Sequence, residues 1–164
     1  MQIISIDQDN FSLWRSQIEL LFNSSVKINF PDSAIDGYYG KIKCDEVKAY
    51  LENGTAILFA AVEEEKLIGW VWCHQIQRLD RNRLHIAEIA VADDCYRNGI
   101  GKKLLSEAEK YAMVNGYQEI DLLVTASNES AVNFYKNACF APERLLMKKT
   151  LKWKGGCNEE GRNA

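Results

Sequence analysis

Apolar positions in the first third of the chain follow a strand pattern, then a helix pattern, then neither. Residues 2–6 predict a short strand. A helix follows it, and its apolar side chains recur at helical spacing: Phe11, Trp14, Ile18 and Leu21. The periodicity is lost over residues 23–43, where a proline and two glycines predict a long loop. A short helix is expected over residues 45–51.

The middle of the chain alternates between apolar runs of strand length and polar turns. Residues 56–63 and 67–77 predict two strands joined by the charged turn 64–66, which is typical of a hairpin. Residues 84–92 predict the next strand. No apolar run approaches the ~20 residues that a membrane span needs.

The second half of the chain predicts a strand–helix–strand unit and a further helix. Residues 99–115 have an apolar face at helical spacing, and 119–125 predict a strand, so the crossover to it is right-handed and its strands are parallel. A last helix is expected over 128–138 and a final strand over 144–151. The tail 153–164 is expected to be disordered. The fold class is therefore α+β, with antiparallel N-terminal strands and a parallel crossover in one domain, 1–152.

Composition narrows the functional classes. The 164 residues carry a net charge of −3, which argues against nucleic acid as a partner because phosphate binding needs a basic face. The first ten residues have no basic region typical of a signal peptide, and together with the lack of an apolar span this predicts a cytoplasmic protein without a membrane partner. Five widely spaced cysteines and two histidines form no metal-ligand pattern, so no metal site is predicted.

The turn between the fourth predicted strand, which ends at Ala92, and the helix over 99–115 contains the chemistry-bearing pattern Arg97-Asn98-Gly99-Ile100-Gly101-Lys102. Glycines allow close backbone approach, and the free amides at a helix start favour a phosphate group. A dinucleotide-binding fingerprint is excluded because its third glycine position is Leu104. A P-loop is excluded because Lys103 follows Gly101-Lys102 where Ser or Thr is needed.

Several motifs together resemble the Gcn5-related N-acetyltransferase (GNAT) family. They occur in the family's order and spacing: Ile89-Ala90-Val91, Arg97-Asn98-Gly99-Ile100-Gly101, Asn128-Glu129-Ser130-Ala131-Val132-Asn133-Phe134-Tyr135, Phe140 and Met147-Lys148-Lys149-Thr150-Leu151. The resemblance covers about 56–151 and is thin before it. It implies an enzyme that transfers an acetyl group from acetyl-coenzyme A to an amine. Because members of the family often form dimers, it also implies a homodimer.

The resemblance also implies cofactor-binding residues. The main chain of Ile89, Ala90 and Val91 is expected to pair with the pantetheine arm, and Asn128 to contact the cofactor or to cap the last helix. The amides of the glycine turn are expected to hold the pyrophosphate: Arg97, Asn98, Gly99, Ile100, Gly101 and Lys102. Two positions depart from the family pattern, Tyr96 in place of Arg or Gln and Cys139 in place of glycine.

Two side chains are candidates for the proton transfers that amine acetylation requires. The matching tyrosine in the family lies beside the coenzyme A sulfur, so Tyr135 is the expected acid, with core packing as the alternative. Glu88 directly precedes the Ile89-Ala90-Val91 motif and is the expected base, provided that a bulge turns it towards the acceptor. A strand-edge charge in water is the alternative, and His85 is a second candidate base.

The acceptor is less defined. Five aromatic residues are able to line a pocket but are more often core: Trp14, Tyr38, Tyr39, Trp70 and Trp72. Acidic residues would attract a cationic amine, but the negative charge of the four candidates is largely cancelled by nearby lysines: Asp32, Asp36, Asp45 and Glu46. A small-molecule primary amine is the expected acceptor, attacked directly in a ternary complex. The alternatives are a protein or peptide amine, and a catalytically silent acyl-coenzyme A-binding regulatory module.

Overall fold

A computed structural model describes residues 1–31, 37–78 and 81–151. Its helices and strands are β1 Gln2–Ile6, α1 Phe11–Asn29, α2 Tyr39–Glu52, β2 Ala56–Glu63, β3 Lys66–Arg78, β4 Arg81–Val91, α3 Ile100–Val114, β5 Glu119–Leu122 and α4 Glu129–Asn137. A 3₁₀ turn, Asp93–Cys95, precedes α3. The strands and α3 lie within a few residues of their predicted positions, because their hydrophobic periods are strong.

The five strands form one sheet in chain order, β1-β2-β3-β4-β5. Neighbours are antiparallel from β1 to β4, whereas β5 runs parallel to β4 and is reached through α3. This arrangement confirms the predicted α+β class with a parallel crossover. The parallel pair is the part of the sheet that positions the candidate site.

Each face of the sheet carries its own hydrophobic core. On one face, α1 and α2 cover Trp70 and Trp72, which are 0% and 1% exposed, and the Phe22 ring packs edge-on against Trp70 at a centroid distance of 4.8 Å. On the other face, α3 buries Leu104 and Leu105 against the sheet. The two tryptophans are therefore core residues and do not line a pocket.

The loop expected over residues 23–43 is wrong for most of its length. Helix α1 continues to Asn29, and α2 begins at Tyr39, six residues before the predicted helix. Gly40 lies in the first turn of α2, where a Cβ would stand 2.2 Å from the main-chain oxygen of Glu19. This glycine marks a close contact between two helices, and sequence reasoning took it as a loop residue.

The C-terminal region also differs from expectation. Strand β5 ends at Leu122, and residues 141–151 contain neither helix nor strand, so the strand predicted over 144–151 does not form. The apolar residues there have no sheet to cover, since Leu145 and Leu146 are 85% and 94% exposed. The tail expected to be disordered lies outside the described residues, as do Asp32 and Asp36.

Candidate active site

Strands β4 and β5 separate at the middle of β4. Their parallel pairing runs from Arg83 with Glu119 to Ile86 with Leu122 and goes no further. Over the described residues, β4 continues to Val91 with no partner on its β5 side, while its other edge stays paired with β3. Ile89, Ala90 and Val91 thus present an open main-chain edge, which fits an extended arm that pairs like an added strand.

The glycine turn follows directly and leads into α3. Arg97 and Gly99 both adopt left-handed backbone conformations, with φ of 64° and 74°. The amide of Lys103 donates to the Gly99 oxygen at 3.1 Å, so the amides before it precede the hydrogen-bonded ladder of the 15-residue helix. Arg97, Asn98 and Lys102 are exposed. Open amides, a helix start and two cations fit a pyrophosphate group.

Two glycines set the distance between α3 and its surroundings. A Cβ on Gly69 would lie 3.0 Å from Cγ2 of Ile100, so this glycine lets the start of α3 lie close to the sheet. Ile100 is only 4% exposed, which places its side chain in the core and leaves its main chain for a ligand. A Cβ on Gly101 would lie 3.6 Å from the Phe134 ring, so α4 is a direct neighbour of the turn.

Glu88 is turned towards α1 by a bulge in β4. Glu88 pairs with Trp72, and the next pair is Cys73 with Ile86, which leaves Ala87 as the extra residue. Ser25 Oγ donates to Glu88 Oε1 at 2.5 Å. Burial raises the pKa of Glu88 to about 7, although the Ser25 hydroxyl and the charge of Lys43 both favour its ionised form. A carboxyl with a pKa near neutrality is suited to accept a proton.

Tyr135 lies close enough to Glu88 for their charges to interact. Burial raises the pKa of the Tyr135 hydroxyl above its usual value, and the negative charge of Glu88 raises it further, followed by a smaller contribution from Cys73. Its ring packs edge-on against Phe134 and Phe140, at centroid distances of 5.1 and 5.6 Å. The hydroxyl forms no hydrogen bond within the described part of the chain, so it is a protonated donor open to a ligand.

Asn128 caps α4 and reaches α1. Its Oδ1 accepts from the amide of Ala131 at 3.1 Å, which confirms the N-cap interpretation. Its Nδ2 donates to Oδ1 of Asn29 at 2.9 Å. Contact with the cofactor stays a prediction.

Three other sequence candidates, His85, Asp45 and Glu46, pair with charged side chains. His85 Nδ1 lies 2.6 Å from Asp121 Oδ1 on β5, so its ring is oriented by the sheet. Asp45 pairs with Arg15 at 2.7 Å, and Glu46 pairs with Lys43.

Sequence reasoning missed two residues, Ser25 and Asn29. Both lie in the part of α1 that was predicted to be a loop. Their four-residue spacing, which also follows Leu21, was the available signal, because it continues one face of the preceding helix.

Comparison with known proteins now decides the family. A profile described as "Acetyltransferase (GNAT) family" matches residues 23–139. The chain belongs to this family. It is 32% identical over 101 residues to the human protein named N-alpha-acetyltransferase 30 and 32% identical over 89 residues to the protein of that name from Schizosaccharomyces pombe. These matches take in 60% and 54% of this chain.

A solved structure of an aminoglycoside acetyltransferase from an uncultured soil metagenomic sample, in complex with trehalose, has the same fold. Its TM-score is 0.71 at 19% identity, covering 92% of this chain and 96% of that one.

The sequence matches to N-alpha-acetyltransferase 30 span only 28% of the human protein's length and 59% of the length of the Schizosaccharomyces pombe protein.

Family membership confirms the expected resemblance and, at the level of the family, acetyl-coenzyme A as the acetyl donor. The helices of the described residues include none that is both long and apolar enough to cross a bilayer. The cytoplasmic location and the homodimer stay predictions.

Proposed function

We propose that this chain transfers an acetyl group from acetyl-coenzyme A to a primary amine by direct attack. The observation that carries the proposal is the placement of Glu88 and Tyr135 beside the point where β4 and β5 separate. There the open edge of β4 and the amides of the glycine turn are arranged to hold the donor, with Ile89–Val91 along the arm and 97–102 at the pyrophosphate.

The two side chains have complementary roles in this proposal. Acetyl-coenzyme A supplies the acetyl thioester, whose C–S bond breaks as the C–N bond to the amine forms. Glu88 accepts the proton that the amine loses, as its pKa of about 7 allows near neutral pH. Tyr135 donates a proton to the departing sulfur, because its raised pKa keeps the hydroxyl protonated.

The acceptor expected from the sequence is a small-molecule amine. A peptide α-amine is the second candidate, and the likeness to N-alpha-acetyltransferase 30 favours it, since that relative is 32% identical whereas the aminoglycoside enzyme is 19% identical and indicates fold alone. Exposed apolar side chains near the ends of α1 and α2 are suited to contact an apolar acceptor residue: Ile28, Phe30 and Ile42.

The first experiment is thermal unfolding with and without acetyl-coenzyme A, with NAD and ATP as controls. Ligand at a hundred times its dissociation constant adds about 2.7 kcal/mol, which raises the midpoint by several degrees. A rise with acetyl-coenzyme A alone supports the proposed donor. No rise at millimolar ligand would contradict it.

The second experiment identifies the acceptor by release of the coenzyme A thiol. Spermidine and kanamycin represent small amines, and a short peptide with a free N-terminus is compared with the same peptide acetylated at that terminus. Transfer to the free peptide but not to its blocked form supports the peptide candidate. Binding without turnover on any amine would favour the silent regulatory module.

A further inference from the structure

We propose that Ser25 is a positioning residue for Glu88, and that Asn29 and Asn128 extend this contact into one hydrogen-bonded chain between β4 and the start of α4. The inference rests on the proposed function only in giving Glu88 the role of base. The hydrogen-bonded chain of side chains rests on the distances observed in the structure. It crosses three elements that are far apart in sequence.

The first contact fixes the carboxylate. Ser25 Oγ donates to Glu88 Oε1 at 2.5 Å, and it is the one side chain that hydrogen-bonds to this carboxylate among the described residues. A hydrogen bond to an ionised acceptor is about twice as strong as a neutral one and holds the acceptor in one orientation. Ser25 therefore determines where the Glu88 carboxylate points.

The next contacts fix the serine. Asn29 Nδ2 donates to the main-chain oxygen of Ser25 at 3.1 Å and lies 3.4 Å from its Oγ. An amide that donates to a hydroxyl strengthens that hydroxyl as a donor in turn. Asn29 thus favours the rotamer in which Ser25 faces Glu88.

The last contact anchors the chain in α4. Asn29 Oδ1 accepts from Asn128 Nδ2 at 2.9 Å. The side-chain amide of Asn29 therefore donates to Ser25 through its nitrogen and accepts from Asn128 through its oxygen. The other end of the Asn128 amide caps α4, seven residues before Tyr135. The chain consequently fixes the expected base relative to the helix that carries the expected acid.

The charged and titratable groups facing Glu88 come from two further elements, α2 and α4. Lys43 of α2 stabilises the ionised carboxylate. Burial is the main cause that raises the pKa of Tyr39 of α2 and of Tyr135 of α4, and the charge of Glu88 raises both further. None of these groups donates a hydrogen bond to Glu88 in the described structure. Removal of the Ser25 hydroxyl therefore leaves the carboxylate without a compensating donor.

The test measures the pKa of Glu88 directly, so it needs no acceptor. The full chain is labelled with ¹³C at glutamate side-chain carboxyls and titrated by NMR, with Glu88 assigned from Glu88→Gln. We expect Ser25→Ala to raise the pKa of Glu88 by about one pH unit, because a hydrogen bond to the charged form is lost. Ser25→Thr retains the hydroxyl and is expected to keep the wild-type value.

Ser24→Ala is the matched control, since Ser24 lies on the same helix and donates no hydrogen bond to Glu88 in the described structure. Asn29→Ala tests the chain beyond the serine and should shift the pKa in the same direction by a smaller amount. A Ser25→Ala value equal to that of Ser24→Ala would overturn the positioning role. A wild-type value for Asn29→Ala would overturn the extended chain.

A kinetic measurement separates this inference from the proposed function. If wild-type protein acetylates an amine and Glu88→Gln removes the acidic limb of kcat/KM, Ser25→Ala should move that limb to higher pH by the same amount as the NMR shift. If the acidic limb of the kcat/KM profile does not move in Ser25→Ala, the positioning role of Ser25 is contradicted and the proposed function is not. A wild type that neither binds acetyl-coenzyme A nor turns over contradicts the proposed function and leaves the NMR result standing.

Discussion

Glu88 is the cross-strand partner of Trp72, and the pair after it skips Ala87 to join Cys73 with Ile86. One extra residue in β4 thus decides the direction of the expected base. Regular alternation would place Glu88 and His85 on opposite faces of the sheet. The bulge brings them to the same face, under α1 and α2, where Ser25 meets the carboxylate.

Replacement of Glu88 by Gln should lower kcat/KM by roughly 10²–10⁴-fold, because general-base help is lost while the shape is kept. In the wild type, kcat/KM should fall as the pH decreases below about 7, since the base is then protonated. Steady-state kinetics from pH 5.5 to 9 check both. Glu107→Gln, in a surface pair with Lys110, is the control and should behave as wild type.

The same replacement should stabilise the fold at high pH. The folded-state pKa of Glu88, about 7, lies above the value of roughly 4.3 in an unfolded chain, so folding becomes less favourable as the pH rises between the two. Glu88→Gln removes this penalty, so its free energy of unfolding should exceed that of the wild type by about 1–3 kcal/mol at pH 8. Urea denaturation should show the gain vanish near pH 4, and an equal gain at both pH values would refute this origin.

Tyr135→Phe should reduce kcat by about 10²-fold or more with little change in acetyl-coenzyme A affinity, because only the proton donor is removed. Turnover and ligand titration measure the two effects separately. Tyr111→Phe serves as the comparison, because Tyr111 packs with Phe59 on the α3 side of the sheet. An unchanged rate would return Tyr135 to a packing role.

Gly40→Ala should destabilise the protein by more than about 2 kcal/mol, because its Cβ would stand 2.2 Å from a main-chain oxygen in α1. The contact also carries a hydrogen bond from the Gly40 amide to Asn23 Oδ1 at 2.8 Å. Gly37→Ala is a close control, since a Cβ there meets nothing within 4 Å. Thermal unfolding of both variants checks the difference, and similar midpoints would show that the helices move apart at little cost.

The strands could be predicted from the sequence because they are apolar runs of strand length bounded by polar turns, and α3 because its apolar residues keep a helical period. The glycine turn was found by its own chemistry, and the motifs around it indicated the family. The bulge that directs Glu88 was anticipated only through the resemblance, because two strands must be paired before a missing partner is visible.

The start of α2 at Tyr39 could not be read from the local pattern. Gly40 weakens a helix on propensity alone, yet here it permits the approach of two backbones, a benefit that exists only in the folded state. For Ser25 and Asn29 the four-residue spacing indicated a helix but not the side chains that they contact. Their partners, Glu88 and Asn128, are 63 and 99 residues away in the chain.

The early end of the β4–β5 pairing has a consequence for handling the protein. The stretch of β4 beyond Ile86 leaves main-chain donors and acceptors unpaired on one side in the described structure, and such an edge is a template on which a strand of another molecule can add. A ligand that occupies the edge removes that template. We therefore expect coenzyme A to slow self-association during storage and concentration, which light scattering of the protein with and without it would reveal.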